Sequence, residues 1–183
     1  MGQHKLLVAN RGEIAIRIFR AAAELGIATV AVYSEDDATA LHRLKADEAL
    51  PLTGTGAKAY LDAAQIVALA KQAGCDAIHP GYGFLSENAA FARLCAESGI
   101  TFAGPTPDAL DLFGDKGAAR ALAVRLEVPV LKGTTTAATL EEASSFFNAL
   151  DDGGAMAIKA IAGGGGRGIR IVERGEDVPD AYA

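Results

Sequence analysis

The 183-residue chain is half apolar, 22% charged and carries a formal net charge of -6, which suits one folded domain with part of a second and excludes a disordered or low-complexity chain. Its longest uncharged stretches, such as Leu25 to Ser34 and Ser98 to Pro107, run about ten residues, short of the roughly 18 a membrane-spanning helix needs. The acidic balance argues against a nucleic-acid partner and leaves small anionic ligands open, while Arg11, Glu13, Arg17 and Arg20 break the first apolar run as no secretory signal allows, so a cytoplasmic protein is expected.

In chain order, Lys5 to Ala9 reads as a buried strand, and Ile14, Ile18, Ala21, Ala22 and Leu25 then recur at helical spacing until Gly26. Ala28 to Tyr33 is a second apolar, β-branched run, so the opening is a strand, helix, strand unit with parallel strands. Leu61 to Gln72 is expected as a helix with Ile66, Leu69 and Ala70 inward, then a strand at Asp76 to His79, a helix from Glu87, capped by Ser86, to about Ser98, and a strand at Thr101 to Ala103. Such alternation predicts a doubly wound parallel sheet of the α/β class, with a ligand crevice at the strand C-termini.

Gly104-Pro105-Thr106-Pro107 punctuates the chain, and short helices at Asp108 to Phe113 and Lys116 to Leu126 lead out of this domain. Beyond them Thr139 to Leu150 is helical, with Glu141 and Glu142 suited to the first-turn dipole. Met156 to Ile161 and Ile169 to Val172 form two strands around a glycine loop, and a further helix starts over Glu176 to Tyr182. Two strands and a helix cannot bury a core alone, so the second domain is expected to be truncated.

The two cysteines, Cys75 and Cys95, sit too far apart for a metal or redox motif and are expected in the core. His4, His42 and His79 are scattered, so any metal must be held by oxygens. Gly163, Gly165 and Gly168 satisfy the G-x-G-x-x-G spacing, but a strand rather than a helix follows, and no Lys-Ser or Lys-Thr makes a Walker loop. The run Gly163, Gly164, Gly165, Gly166, Arg167, Gly168 instead reads as a flap whose backbone N–H groups approach phosphate oxygens, or as a flexible hairpin tip.

Lys159, on the strand feeding that loop and on the face of Ala157 and Ile161, reaches either a phosphate or solvent. Lys116 follows the N-cap Asp115, where its charge opposes the helix dipole by about 0.3 to 1 kcal/mol unless an anion binds. The loop from His79 to Asn88 leaves a strand C-terminus, with Tyr82 and Phe84 spaced so that one packs inward and one faces a crevice; Glu87 serves either that crevice or the helix. Asn10-Arg11-Gly12-Glu13 has one glycine where a nicotinamide site has three, so a dehydrogenase is disfavoured.

Taken together, Ala9-Asn10-Arg11-Gly12-Glu13-Ile14-Ala15, the His79 to Asn88 loop, Gly114-Asp115-Lys116, and Lys159-Ala160 followed by Gly163 to Arg170 resemble the amino-terminal part of the biotin carboxylase family, within the ATP-grasp superfamily. The resemblance implies a Rossmann-like, pre-ATP-grasp domain over residues 1–112, a helical linker over 113–130 and a partial ATP-grasp subdomain with a glycine-rich hairpin flap over 131–183. It implies an enzyme that uses MgATP and bicarbonate, through carboxyphosphate, to carboxylate biotin on a carrier domain. Lys116, Lys159 and the residues 163–168 would hold the ATP phosphates, Tyr82 would lie near biotin, and Arg20 and Glu24 would sit on a homodimer face.

The family's magnesium-binding glutamates, catalytic arginine and bicarbonate-binding lysine and arginine fall outside this stretch, so the piece alone is expected to be inactive, with no catalytic residue and no metal ligand. Leu131-Lys132-Gly133-Thr134-Thr135-Thr136 also departs from the family's usual Pro-Gly-Ser. Two alternatives stand beside this one: another ATP-grasp ligase, such as a carbamoyl-phosphate-type enzyme, and a non-catalytic nucleotide-binding or dimerisation module.

Overall fold

The computed structural model describes residues 4–134, 136–151, 153–160 and 168–183, which form two compact units, Met1–Asp111 and Leu112–Ala183. In the first, β1 (Lys5–Val8), α1 (Gly12–Glu24), β2 (Ala28–Tyr33), β3 (Glu48–Pro51), α2 (Gly56–Ala59), α3 (Ala63–Gln72), β4 (Ala77–His79), α4 (Ala89–Glu97) and β5 (Thr101–Phe102) succeed one another. The strands pair in parallel in the order β3-β2-β1-β4-β5.

Period-2 alternation divides the strand side chains between two covered faces. Leu7, Ala9, Val30, Val32 and Ile78 pack against Ile66, Val67 and Ala70 of α3 and Phe91 and Cys95 of α4. Val8 and Ala31 point the other way, onto Ala15 and Phe19 of α1. The register Leu7↔Val30 and Val8↔Ala31 keeps each set on its own face. The expected doubly wound sheet is therefore present, and both cysteines lie buried within it.

Three local expectations change. Helix α4 opens at Ala89 and is capped by Asn88, whose side chain accepts the Phe91 N–H at 2.8 Å; Ser86 and Glu87 belong to the preceding turn, where the Ser86 N–H is bonded to the Gly83 carbonyl. Helix α3 opens at Ala63 because Asp62 caps it through the Gln65 N–H at 2.9 Å. Periodicity assigns no element over 34–60, yet two 3-10 turns (Glu35–Asp37 and Leu41–Leu44), β3 and α2 occupy it. Strand β3 is a four-residue edge strand ending in proline, too short and too exposed to print an alternating pattern.

Helix α5 (Pro107–Gly114) leads from the first unit into the second. The second holds α6 (Lys116–Arg125), α7 (Leu140–Asn148), β6 (Met156–Lys159), β7 (Ile169–Val172) and α8 (Val178–Tyr182), the last preceded by a 3-10 turn where one helix is expected. Strands β6 and β7 form an antiparallel hairpin with Met156 opposite Val172. These two residues, with Ala143 of α7 and Val178 of α8, make its small core. A complete capping box fixes the start of α7, with the Glu142 N–H on the Thr139 hydroxyl at 3.2 Å and the Thr139 N–H on the Glu142 carboxylate at 2.7 Å.

Candidate functional site

Successive crossovers leave β1 in opposite directions, to β2 on one side and to β4 on the other, so the C-termini of β1 and β4 bound the crevice of a doubly wound sheet. Asn10, 1% exposed, stands at the end of β1. Its Nδ2 donates to the Pro80 carbonyl at 2.7 Å and to the Tyr82 carbonyl at 3.0 Å, and its Oδ1 accepts the Arg11 N–H at 2.9 Å. The loop after β4 is thus tied to the end of β1 by one amide with all its near donors used. Gly81 has φ +68, and a Cβ there would stand 2.6 Å from Asn10 Nδ2, so the close approach and the backbone both require glycine.

The two loop aromatics divide as their spacing predicts. Phe84 stacks on Tyr60 with ring centroids 5.2 Å apart, while Tyr82 is 69% exposed. The Arg11 guanidinium lies over both stacked rings, 5.6 Å from Tyr60 and 6.0 Å from Phe84. Arg11 is held there by Asp37 at 3.1 Å. Asp37 also accepts from the Tyr60 hydroxyl at 2.8 Å and the Ser34 hydroxyl at 3.2 Å.

Partial burial pushes the Asp37 carboxyl upward, but the bonds from Tyr60, Arg11 and Ser34 and the Arg11 charge outweigh it, leaving the group below its ordinary value. The buried Tyr60 phenol, bonded to that carboxylate, is pushed up to about 12. Burial also lowers His79, whose Nδ1 accepts the Gly81 N–H at 3.0 Å and fixes the neutral ring's proton on Nε2. Periodicity does not reveal Asp37 and Tyr60, because both sit in the unassigned 34–60 segment. The available signal is the acidic pair Asp36-Asp37 directly after the C-terminus of β2, at the ligand-bearing end of a parallel sheet.

In the second unit Lys116 is the first residue of α6, after the cap Asp115, which accepts the Ala118 N–H at 2.9 Å. Lys159 ends β6 on the outward face, with exposed Ala157, opposite exposed Ile169 and Ile171 of β7. As period-2 alternation predicts, Lys159 shares its face with Ala157, while Met156 and Ile158 turn to the core. Gly168 closes the hairpin in a left-handed conformation, φ +78, with its carbonyl accepting the Ala160 N–H at 2.8 Å; a Cβ would meet Ala160 Cβ at 2.8 Å. Gly163, Gly164, Gly165, Gly166 and Arg167, and Ile161 at the strand end, lie outside the described residues.

Glu87 is exposed in the turn before α4. Arg20 and Glu24 are exposed one turn apart on α1, and Arg20 lines a surface cleft with Arg17 and Leu41. Among the described residues no three His, Cys, Asp or Glu side chains converge on a metal-sized site, and no helix is long and apolar enough to cross a membrane.

The family described as "Biotin carboxylase, N-terminal domain" matches residues 2–110, and "Carbamoyl-phosphate synthase L chain, ATP binding domain" matches residues 115–183. Pyruvate carboxylase of Staphylococcus aureus is 55% identical over 181 residues, covering 97% of this chain and 16% of the relative. That of Bacillus subtilis is 56% identical over 182 residues, with the same shares. The chain thus spans about a sixth of the length of these curated relatives.

Among solved structures, a biotin carboxylase–βγ-ATP complex from Campylobacter jejuni superposes with TM-score 0.93 at 41% identity, covering 99% of this chain and 41% of that one. The biotin carboxylase domain dimer of Hydrogenobacter thermophilus 2-oxoglutarate carboxylase, in complex with MgADP, ADP and bicarbonate, gives TM-score 0.89 at 47% identity, over 97% of this chain and 39% of that one.

Proposed function

Because the chain belongs to the biotin carboxylase family through its amino-terminal domain, we propose that it supplies a substrate-side loop and part of the nucleotide site of an enzyme that uses MgATP and bicarbonate to carboxylate biotin on a carrier domain. The observation that carries this reading is Lys159 on the open face of the hairpin, opposite exposed Ile169. A cation at the edge of an exposed apolar surface, on the strand entering a glycine run, suits a ligand with a flat apolar ring at one end and phosphates at the other. Lys116, in the first turn of α6, adds a second cation suited to phosphate.

The donor set therefore fits the phosphate side of MgATP. ATP supplies the phosphoryl group that activates bicarbonate, and this chain's own part is to bind and orient the polyphosphate. The magnesium ligands and the groups that hold bicarbonate are assigned to the remainder of the longer protein. In the first unit, Tyr82 and Glu87 at the β1/β4 crevice would face biotin. Arg20 and Glu24, exposed on α1, would meet a second copy, in line with the dimeric Hydrogenobacter domain.

Calorimetry with MgADP on the full-length protein tests the phosphate assignments. Lys116→Ala and Lys159→Ala are each expected to weaken binding about tenfold, or about 1.4 kcal/mol. Unchanged affinity in both would remove them and favour a non-catalytic module. The match of residues 115–183 to a carbamoyl-phosphate synthase ATP-binding domain favours, as second reading, a different ligase with a similar nucleotide fold. Carboxylation of free biotin by the full-length protein separates the two, since that ligase leaves biotin unmodified.

A further inference from the structure

We propose that Asn10 is a positioning residue for biotin: by clamping the loop after β4, it sets where Tyr82 stands. The inference rests on the reading above that this loop faces biotin. Asn10 itself is buried and does not present its side chain to a ligand. What it controls is the path of the loop on either side of Gly81, through its two bonds to the carbonyls of Pro80 and Tyr82.

The second bond falls on the backbone of the very residue whose side chain is 69% exposed at the crevice. The loop is held from the other end as well. Phe84 adopts φ 41, a left-handed conformation unusual for an aromatic residue, and is kept there by its stack on Tyr60 beneath Arg11. Two anchors, one polar and one aromatic, thus bracket Gly81-Tyr82-Gly83, a segment that two glycines would otherwise leave loose.

The chemistry of the clamp is specific to an amide. Both Nδ2 hydrogens go to carbonyls while Oδ1 accepts an N–H. Asn10→Asp keeps the shape and the acceptor and turns the two donated bonds into oxygen facing oxygen. Gly81→Ala attacks the same contact from the loop side, since its Cβ enters the space of Asn10 Nδ2.

The test uses the full-length protein and measures KM for free biotin alongside MgADP affinity for Asn10→Asp, Gly81→Ala and Tyr82→Ala. All three are expected to raise KM for biotin about tenfold while MgADP affinity stays within about twofold, the pattern of a lost substrate contact rather than a lost fold. If Tyr82→Ala raises KM and the other two leave it unchanged, the clamp is overturned and the reading of the loop stands. Should Tyr82→Ala leave KM unchanged, the reading fails and takes the clamp with it. A parallel loss of biotin and MgADP binding in Asn10→Asp assigns the residue to general stability and overturns the proposal. If Asn10→Asp does not fold, Gly81→Ala decides the question by the same criteria.

Discussion

The two units solve opposite problems with similar local parts. In the first, strands β1 and β2 are covered on both faces, and the polar groups at their C-terminal ends are tied down: Asn10 bonds the loop after β4, and Asp37 accepts from Ser34 and from Arg11. In the second, the hairpin has one packed face and one open face, and Val128, Leu131, Ile169 and Ile171 stand exposed, Leu131 to 88%. The open face carries Lys159 beside the exposed Ile169 and Ile171. Within this chain the first unit covers both faces of its sheet, and the second covers one face of its hairpin.

The comparison breaks first if the core of the first unit proves dispensable. Phe91 is 1% exposed and meets Phe102 edge to face at 5.8 Å. Phe91→Ala is expected to cost about 3–5 kcal/mol, read by urea unfolding of the chain, with hydrogen exchange rising across β1, β2 and β4 and not across β6 and β7. Equal loss of protection in both units would mean that they fold as one and that the contrast is false.

A smaller effect separates the units by pH. His42 and His79 both belong to the first unit, and burial lowers both below their ordinary value. Nε2 of His42 donates to the Val32 carbonyl at 3.1 Å, while Nδ1 has no partner among the described residues. A proton there brings a buried charge, and a proton on His79 Nδ1 ends the bond from Gly81. With the folded value lowered, the unfolded chain binds the proton more readily, so this stability is complete above about pH 6.5 and is lost as pH falls toward the folded values. Thermal unfolding of the first unit between pH 8 and 5 should therefore shift downward in acid, and His42→Gln should flatten part of the slope. A flat profile would show that neither ring is buried neutral.

How much was legible from the residues differs between the units for physical reasons. Ala28 to Tyr33 and Ile169 to Val172 are predicted to the residue, because β-branched runs bounded by polar or glycine residues leave little ambiguity. The start of α4 differs by two residues because Ser86 and Asn88 compete as caps on equal chemical terms; only the loop path decides that Asn88 faces the helix N–H groups. The inward or outward sense of Lys159 depends on which face of a two-stranded hairpin is covered, which α7 and α8 settle from elsewhere in the chain. At the crevice, Tyr82 and Asn10 lie within readable motifs. The Arg11, Asp37 and Tyr60 cluster does not, since it joins three segments whose proximity exists only once the sheet order is set.

The finest distinction is between the two faces of the hairpin unit. Thr139→Ala removes the hydroxyl that accepts the Glu142 N–H and is expected to cost about 1 kcal/mol, with exchange rising in the first turn of α7. Ile171→Ser removes a larger apolar group, yet Ile171 is 63% exposed while its neighbour Val172 is 1% exposed and fills the core. Its expected cost is within about 0.5 kcal/mol. Area alone would rank the two substitutions the other way, so urea unfolding of both variants discriminates cleanly. If Ile171→Ser costs more than Thr139→Ala, the outward face is covered by this chain itself and is not free to receive a nucleotide. If the order is as expected, the apolar surface beside Lys159 contributes little to the folding of this chain, as the proposed nucleotide face requires.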